Sequence, residues 1–247
     1  MSFNNFRAPV VKLDATPSTN DYLKDLASKQ PLENFTTVTA KSQTKGRGQM
    51  GASWQAESGK NLTMSVFVRD AVSGADQLPA LSVEVALAVY DVVSHHIPNP
   101  SVKWPNDIMS GNFKIGGILI ENSISPIEIR SVIGIGINVN QTDFTNLPKA
   151  SSLKGVTGSD FDVDALAEQV VDSLQLKVHQ LKEDAAGLWT DYEAVLFKKG
   201  LPMPFEDQQK RRFMGIITQV MKDGRLEILL EDDTRQLFGI REITMLY

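Results

Sequence analysis

"TKGRGQMGASW", residues 44–54, places three glycines, two cations and a tryptophan in eleven positions. Glycine lets a backbone approach a ligand closely and tolerates positive φ, and Lys45 and Arg47 add positive charge, so the loop suits an anion such as a nucleotide phosphate. Residues 46–51 match G-x-G-x-x-G, the fingerprint of doubly wound dinucleotide-binding folds, and they follow a run of strand composition, "TTVTAK" (36–41). In those folds a helix begins at the loop and its N-terminus receives the pyrophosphate. Here the polar, glycine-containing "ASWQAESGKNLT" leads instead into a second strand-like run, "NLTMSVFV" (61–68). The loop therefore joins strand to strand, and the doubly wound fold is excluded. A P-loop and the protein kinase signatures are also missing from the sequence. What survives is a cationic flap between two strands.

Outward from the flap, "STNDYLKDLASK" (18–29) opens with capping residues and sets Tyr22, Leu23, Leu26 and Ala27 on one helical face. A long helix is predicted over 78–96, with Pro79 in its first turn and Leu81, Val85, Ala88, Val89 and Val92 at core spacing. "SVKW" (101–104), "KIGGILIEN" (114–122) and "EIRSVIGIGINVN" (128–140) read as strands. Leu166, Val170, Leu174, Val178 and Leu181 mark a second long helix, with another through Trp189 and Val195. From about Lys198, after "KKGLPMP", short strands and tight turns take over: "RRFMGIITQV", "KDG", "RLEILL", "EDD" and "RQLFGI". The expectation is an α/β unit over 1–197 followed by a small β unit over 198–247.

The chain has 247 residues, 42% hydrophobic and 22% charged, enough for one full core and a small appendage. A net charge of -5 and a pI near 5.3 argue against a broad basic surface, so nucleic acid is not an expected partner. The absence of cysteine excludes disulfides, thiolate metal sites and a cysteine nucleophile, and fits a reducing cytoplasm. "MSFNNFRAPV" lacks an apolar leader core, and no stretch reaches the ~18 uninterrupted apolar residues of a membrane span, so the expectation is a cytoplasmic protein with no membrane partner. His95, His96 and His179 lack metal-ligand spacing and carry no expected site role.

In "KWPNDIMSGNFKIGGILIEN" (103–122), Lys103, Asn106, Asp107 and Lys114 cluster around a turn that carries Pro105 and Gly111. A lysine at the mouth of a sheet suits an anionic ligand, or it snorkels over strand ends. In "GIGINVN" (134–140), glycines alternating with isoleucines mark either a ligand wall or a strand thinned for close packing.

Preceded by "STN", the ordered set "GRGQMGASW", "KWPNDI", "KIGGILIE" and "GIGINVN" resembles the biotin protein ligases, the biotin–[acetyl-CoA-carboxylase] ligases. The resemblance implies an α/β (α+β) fold in which a mixed β-sheet catalytic domain flanked by helices precedes a C-terminal SH3-like β-barrel. It also implies the ligase-only type, without a DNA-binding winged helix. The implied chemistry activates biotin with ATP as biotinyl-5'-AMP, with Mg2+ balancing the phosphates, and then acylates a lysine of a biotin carboxyl carrier protein or domain. Lipoate or octanoate transfer and a non-catalytic biotinyl-AMP-binding module are the competitors. The octanoate branch uses a cysteine, which this chain lacks. A monomer or a homodimer fits.

Residue by residue, the resemblance makes Lys114 the bridge between the biotin carboxylate and the α-phosphate and brings Arg47 to the reacting groups. Asp107 receives or orients the proton of the incoming lysine, or only stabilises its turn. Ser18, Thr19 and Gln43 go to the ureido head of biotin, although Ser18 also reads as a helix cap, and Gly46, Gly117, Gly136 and Trp104 go to the biotin pocket. Gln49, Trp54, Asn106 and Asn138 join Arg47 and Lys114 around the nucleotide, with Asn138 meeting the adenine edge. Gln49 is a departure, because the family pattern is commonly G-R-G-R and glutamine lacks the charge and the five-donor fork. Either the adenylate is held less tightly, or another cation such as Lys45, Arg211 or Arg212 compensates, and compensation is the favoured expectation.

Overall fold

A computed structural model of the chain describes residues 8–183 and 187–247. Most of the N-terminal stretch read above for a leader lies outside them. Strands β1 (Val10–Thr16), β2 (Thr37–Gln43), β3 (Leu62–Arg69), β4 (Pro100–Lys103), β5 (Asp107–Ser110), β6 (Phe113–Ile124) and β7 (Ile129–Ile137) form one sheet in the order β1-β2-β3-β7-β6-β5-β4. It is mixed: β1 pairs parallel with β2, and the other pairs are antiparallel. The flap connects β2 to β3, as its sequence predicts, with a short 3-10 turn over Gln49–Gly51.

One face of the sheet is covered by α2 (Leu78–Ser94), α4 (Val163–Glu183) and α5 (Leu188–Ala194), the other in part by α1 (Thr19–Lys29). Alternation along β7 decides which residue faces which layer. Ile133, Ile135 and Ile137 join the core beneath α2 and α4, whereas Val132 packs with Leu23, Leu32, Val38 and Phe67 on the α1 side. Gly134 and Gly136 share the α1 side with Val132, so that face is bare of side chains just where α1 ends its cover. Among the described residues the run Ala75–Ser94, α2 with the 3-10 turn before it, is long and apolar enough for a membrane span by composition, but here it is a core helix.

β8 (Pro202–Asp207), β9 (Arg212–Val220), β10 (Leu226–Leu230), β11 (Arg235–Phe238) and β12 (Ile243–Met245) form an antiparallel sheet in the order β11-β10-β9-β8-β12. The expected barrel is not closed: β11 and β12, four and three residues long, lie at opposite edges of the sheet. Phe205, Ile217, Leu226, Ile228 and Phe238 pack into the same core as α2 and β7. The sequence reading lacked β1, β5, β8, β12 and the short α3 (Leu153–Thr157). β5 is four residues inside a turn-rich segment, and two prolines in β8 argue against a strand.

Glu84 is buried in α2, and removal from water raises its carboxyl from 4.5 to about 7; Lys177 opposes the shift while Asp91 and Asp191 add to it. The folded state then holds a proton that the unfolded chain has lost. The stabilisation is complete below pH 4.5 and is lost as pH rises through about 7. Glu84→Gln should remove this slope, so denaturant midpoints at pH 5 and pH 8 should converge, with a gain of roughly 2 kcal/mol at pH 8. Parallel pH profiles for variant and parent would refute the assignment.

Candidate active site

The bare patch is the floor of a cavity of about 310 Å³ between the first sheet, the flap and the second sheet with its β11–β12 turn. Sheet register builds the floor row by row. Asp107 faces Gly117, Gly117 faces Gly136, and Gly136 faces Thr63; in the next row Leu119, Gly134 and Ser65 stand abreast. Both glycines of "GIGIN" are required sterically. A Cβ on Gly134 would lie 2.4 Å from Asn20 Oδ1, and one on Gly136 would lie 2.4 Å from Cε2 of Trp54. Of the two readings of this strand, the glycines make space for groups on the site face, while the isoleucines fill the core.

Strict alternation back from Gly117 would turn Lys114 toward the helices. A β-bulge prevents this: Ile108 pairs with Gly116 but Met109 with Lys114, leaving Ile115 as the extra residue of β6. Ile115 is fully buried in the core, and Lys114 emerges on the floor side, where its Nζ would stand 3.3 Å from a Cβ on Gly117. Its backbone is pinned from outside the sheet, with Lys114 N donating to Lys149 O and Ser151 N donating to Lys114 O. Lys114 Nζ lies 2.6 Å from Asp107 Oδ1, and Lys103 Nζ lies 3.6 Å from Asp107 Oδ2. Two lysines thus share one carboxylate at the mouth of the floor, which leaves net positive charge there.

At the other end Thr19 donates to Gln43 Oε1 from its backbone N–H (2.8 Å) and its hydroxyl (3.1 Å). Ser65 Oγ donates to Asn20 Oδ1 at 2.6 Å and lies 2.7 Å from Thr19 Oγ1. Ser18 does cap α1, but Asp21 N reaches its Oγ only at 3.4 Å. A hydroxyl can accept there and donate elsewhere, so the cap does not consume Ser18.

The flap is tied down by charge. Arg47 Nη2 lies 2.7 Å from Asp21 Oδ1 and 3.0 Å from Glu121 Oε2, and Lys24 bonds both carboxylates. Burial alone would raise the Glu121 carboxyl; hydrogen bonds from Lys24 and Asn20, with the charges of Lys24 and Arg47, outweigh it and hold Glu121 below its ordinary value. Pairs this exposed contribute about 1 kcal/mol or less each, so the flap is fastened lightly. The indole of Trp54, at the flap's end, lies on Gly136 and near Gly117, and its Nε1 is buried with no hydrogen-bond partner among the described residues.

All the expected site residues line this cavity except Gly46 and Asn138. Gly46 sits behind it against Trp54 O and Gln43 Nε2. Asn138 is buried, and its Nδ2 donates to Ser151 O at 2.9 Å, which holds the segment that pins Lys114. Asn106 Nδ2 donates to Ile118 O and fastens the β4–β5 turn, where the Trp104–Pro105 peptide is cis. Trp104 Nε1 donates to Gly224 O in the β9–β10 turn. Of the three groups expected to compensate for Gln49, none lines the cavity: Lys45 lies outside the lining, as do Arg211 and Arg212, which pair with Asp207 and Glu206. Asn20, Ser65 and Glu121 were missed. For Glu121 the signal was present, since it alternates with Gly117 and Leu119 in "GILIE".

Among the described residues no group of three or more His, Cys, Asp or Glu is placed to hold a metal. The cavity's carboxylate, Asp107, is committed to lysines. A magnesium ion would have to be held mainly by phosphates and water, as is usual for it.

The profile of the biotin/lipoate A/B protein ligase family matches residues 13–138. The chain is 30% identical over 216 residues to the biotin–[acetyl-CoA-carboxylase] ligase of Mycobacterium tuberculosis, covering 85% of this chain and 79% of that one. It is 34% identical over 164 residues to the bifunctional ligase/repressor BirA of Bacillus subtilis, covering 64% of this chain and half of that one. The biotin protein ligase of Aquifex aeolicus solved with biotin and ATP superposes with a TM-score of 0.76 at 25% identity, over 96% of this chain and 98% of that one. With its floor, flap and paired lysines set out in the matched order, the chain belongs to the biotin/lipoate A/B protein ligase family.

Proposed function

We infer that the chain is an ATP-dependent biotin–[acetyl-CoA-carboxylase] ligase, acting in the cytoplasm on a lysine of a biotin carboxyl carrier protein or domain, with a catalytic unit over 1–197 and an appended unit over 198–247. The observation that carries this is Lys114, turned onto a glycine floor beside Asp107 at one end of a cavity whose other end offers neutral hydrogen-bonding groups. Biotin is an apolar bicycle with a neutral ureido head and a carboxylate tail, and the cavity grades in the same way. Ser18, Thr19 and Gln43 suit the head, the Nε2 of Gln43 having no hydrogen-bond partner among the described residues. Gly117 and Gly136 suit the ring and chain, which would lift the Trp54 indole off the floor on entry. Lys114 suits the tail.

In the first step a biotin carboxylate oxygen bonds to the α-phosphorus of ATP as the bond from that phosphorus to the pyrophosphate oxygen breaks. Two anions must meet, and at short range and intermediate dielectric their repulsion amounts to several kcal/mol. The ammonium of Lys114 offsets it, most strongly where charge gathers between carboxylate and phosphate. Arg47, lightly held by Asp21 and Glu121, can turn toward the same anions as the flap closes. In the second step the free amine of the acceptor lysine attacks the acyl carbon, the acyl–phosphate bond breaks, and AMP leaves. Asp107 orients that amine; to take its proton, one of its two oxygens must first release Lys114 or Lys103.

Biotin-dependent exchange of labelled pyrophosphate into ATP by the purified chain tests the reading. The expected result is exchange with biotin and none with lipoate. Exchange driven by lipoate, or none with either acid, would overturn it.

A further inference from the structure

The lining of the cavity contains four cationic side chains: Arg47, Lys103, Lys114 and Arg241. Arg47 is held by Asp21 and Glu121, and both lysines by Asp107. Arg241 alone among them has no carboxylate partner among the described residues; the contact seen is from Gln208 Nε2 to its backbone carbonyl. It lies in the turn between β11 and β12, on the second sheet and across the cavity from the floor. Its backbone is also unusual. Arg241 has φ +83°, in the region that favours glycine, and of the non-glycine residues with positive φ among those described, Arg241 alone lines the cavity. A long side chain held in that conformation destabilises the fold, and such outliers gather at ligand sites.

Resting on the ligase reading above, we propose that Arg241 holds the β- and γ-phosphates of ATP, the part that leaves as pyrophosphate, and so supplies from the second sheet the charge that Gln49 does not supply from the flap. Lys114 serves the α-phosphate and the carboxylate. The remaining negative charge lies farther along the triphosphate and needs a cation that is not already neutralised. Arg241 meets that need, and its planar fork bonds two phosphate oxygens at once. Arg211 and Arg212 lie outside the cavity lining, paired with Asp207 and Glu206.

The backbone supplies a discriminating variant. Arg241→Gly should relax the positive φ and raise the melting temperature, whereas removal of a structural side chain would lower it. In biotin-dependent exchange, Arg241→Gly should raise KM for ATP by about tenfold to a hundredfold with little change in KM for biotin, and Arg241→Lys should recover part of it. AMP, which lacks the β- and γ-phosphates, should bind parent and variant alike by calorimetry, and added pyrophosphate should inhibit the variant less. An unchanged KM for ATP would overturn the proposal, as would equal weakening of ATP and AMP together with a lowered melting temperature. Absence of biotin-dependent exchange in the unaltered chain would instead overturn the reading on which it rests.

Discussion

Lys114→Ala should leave a folded protein that forms biotinyl-AMP at least about a hundredfold more slowly, a barrier increase of ~3 kcal/mol. Removing Lys114 does not orphan Asp107, which keeps Lys103 at 3.6 Å. Nor does it release the strand, because the contacts with Lys149 and Ser151 are made by backbone atoms that alanine retains. What disappears is the one ammonium on the floor beside Gly117. Single-turnover adenylate formation at saturating biotin and ATP isolates the first step. Near-parental turnover would remove Lys114 from the mechanism.

Gly136→Val should be the second severe variant, and for a different reason. Valine is well suited to a β-strand, so the pairing of residue 136 with Thr63 and Gly117 can persist. Its side chain, however, would enter the floor where the first added carbon already lies 2.4 Å from the Trp54 ring. The indole is pushed upward, and the space meant for ligand is filled from below. Overpacking of this kind costs about 1–3 kcal/mol, and here most of it falls on the ligand site. kcat/KM for biotin should drop about a hundredfold with a modest change in melting temperature. Saturation by biotin at the parental concentration would show that the ring does not rest on Gly136.

How much of this was legible beforehand follows from the range of each signal. The flap as a strand-to-strand loop, the two long helices and the alternation of "GIGIN" depend on neighbours in sequence, and all are present in the structure. Asn138 shows the limit of such signals, because a polar residue at the end of a glycine-rich strand looks the same in sequence whether it meets a ligand or, as its Nδ2 does, a backbone carbonyl in the following loop. Arg241 was invisible for a similar reason: its place in the cavity depends on how the second sheet packs against the first, which no local pattern encodes. The barrel stayed open because closure is set by the lengths of the edge strands, and turn signals mark only where strands stop.

The extra residue at Ile115 ties the chemistry of this chain to counting. Exchanging Ile115 for another apolar side chain leaves the sum intact and asks only for repacking. Inserting one residue in β5 between Ile108 and Met109 gives Ile115 a partner and restores unbroken pleating, and the ammonium then faces the hydrophobic interior under α2, an environment in which a charge is not tolerated. Opposite this short segment the protein is thus far more vulnerable to a gained codon than to a changed one. Lineages carrying single-residue insertions between Ile108 and Met109 should have given up ligation even where every signature letter survives.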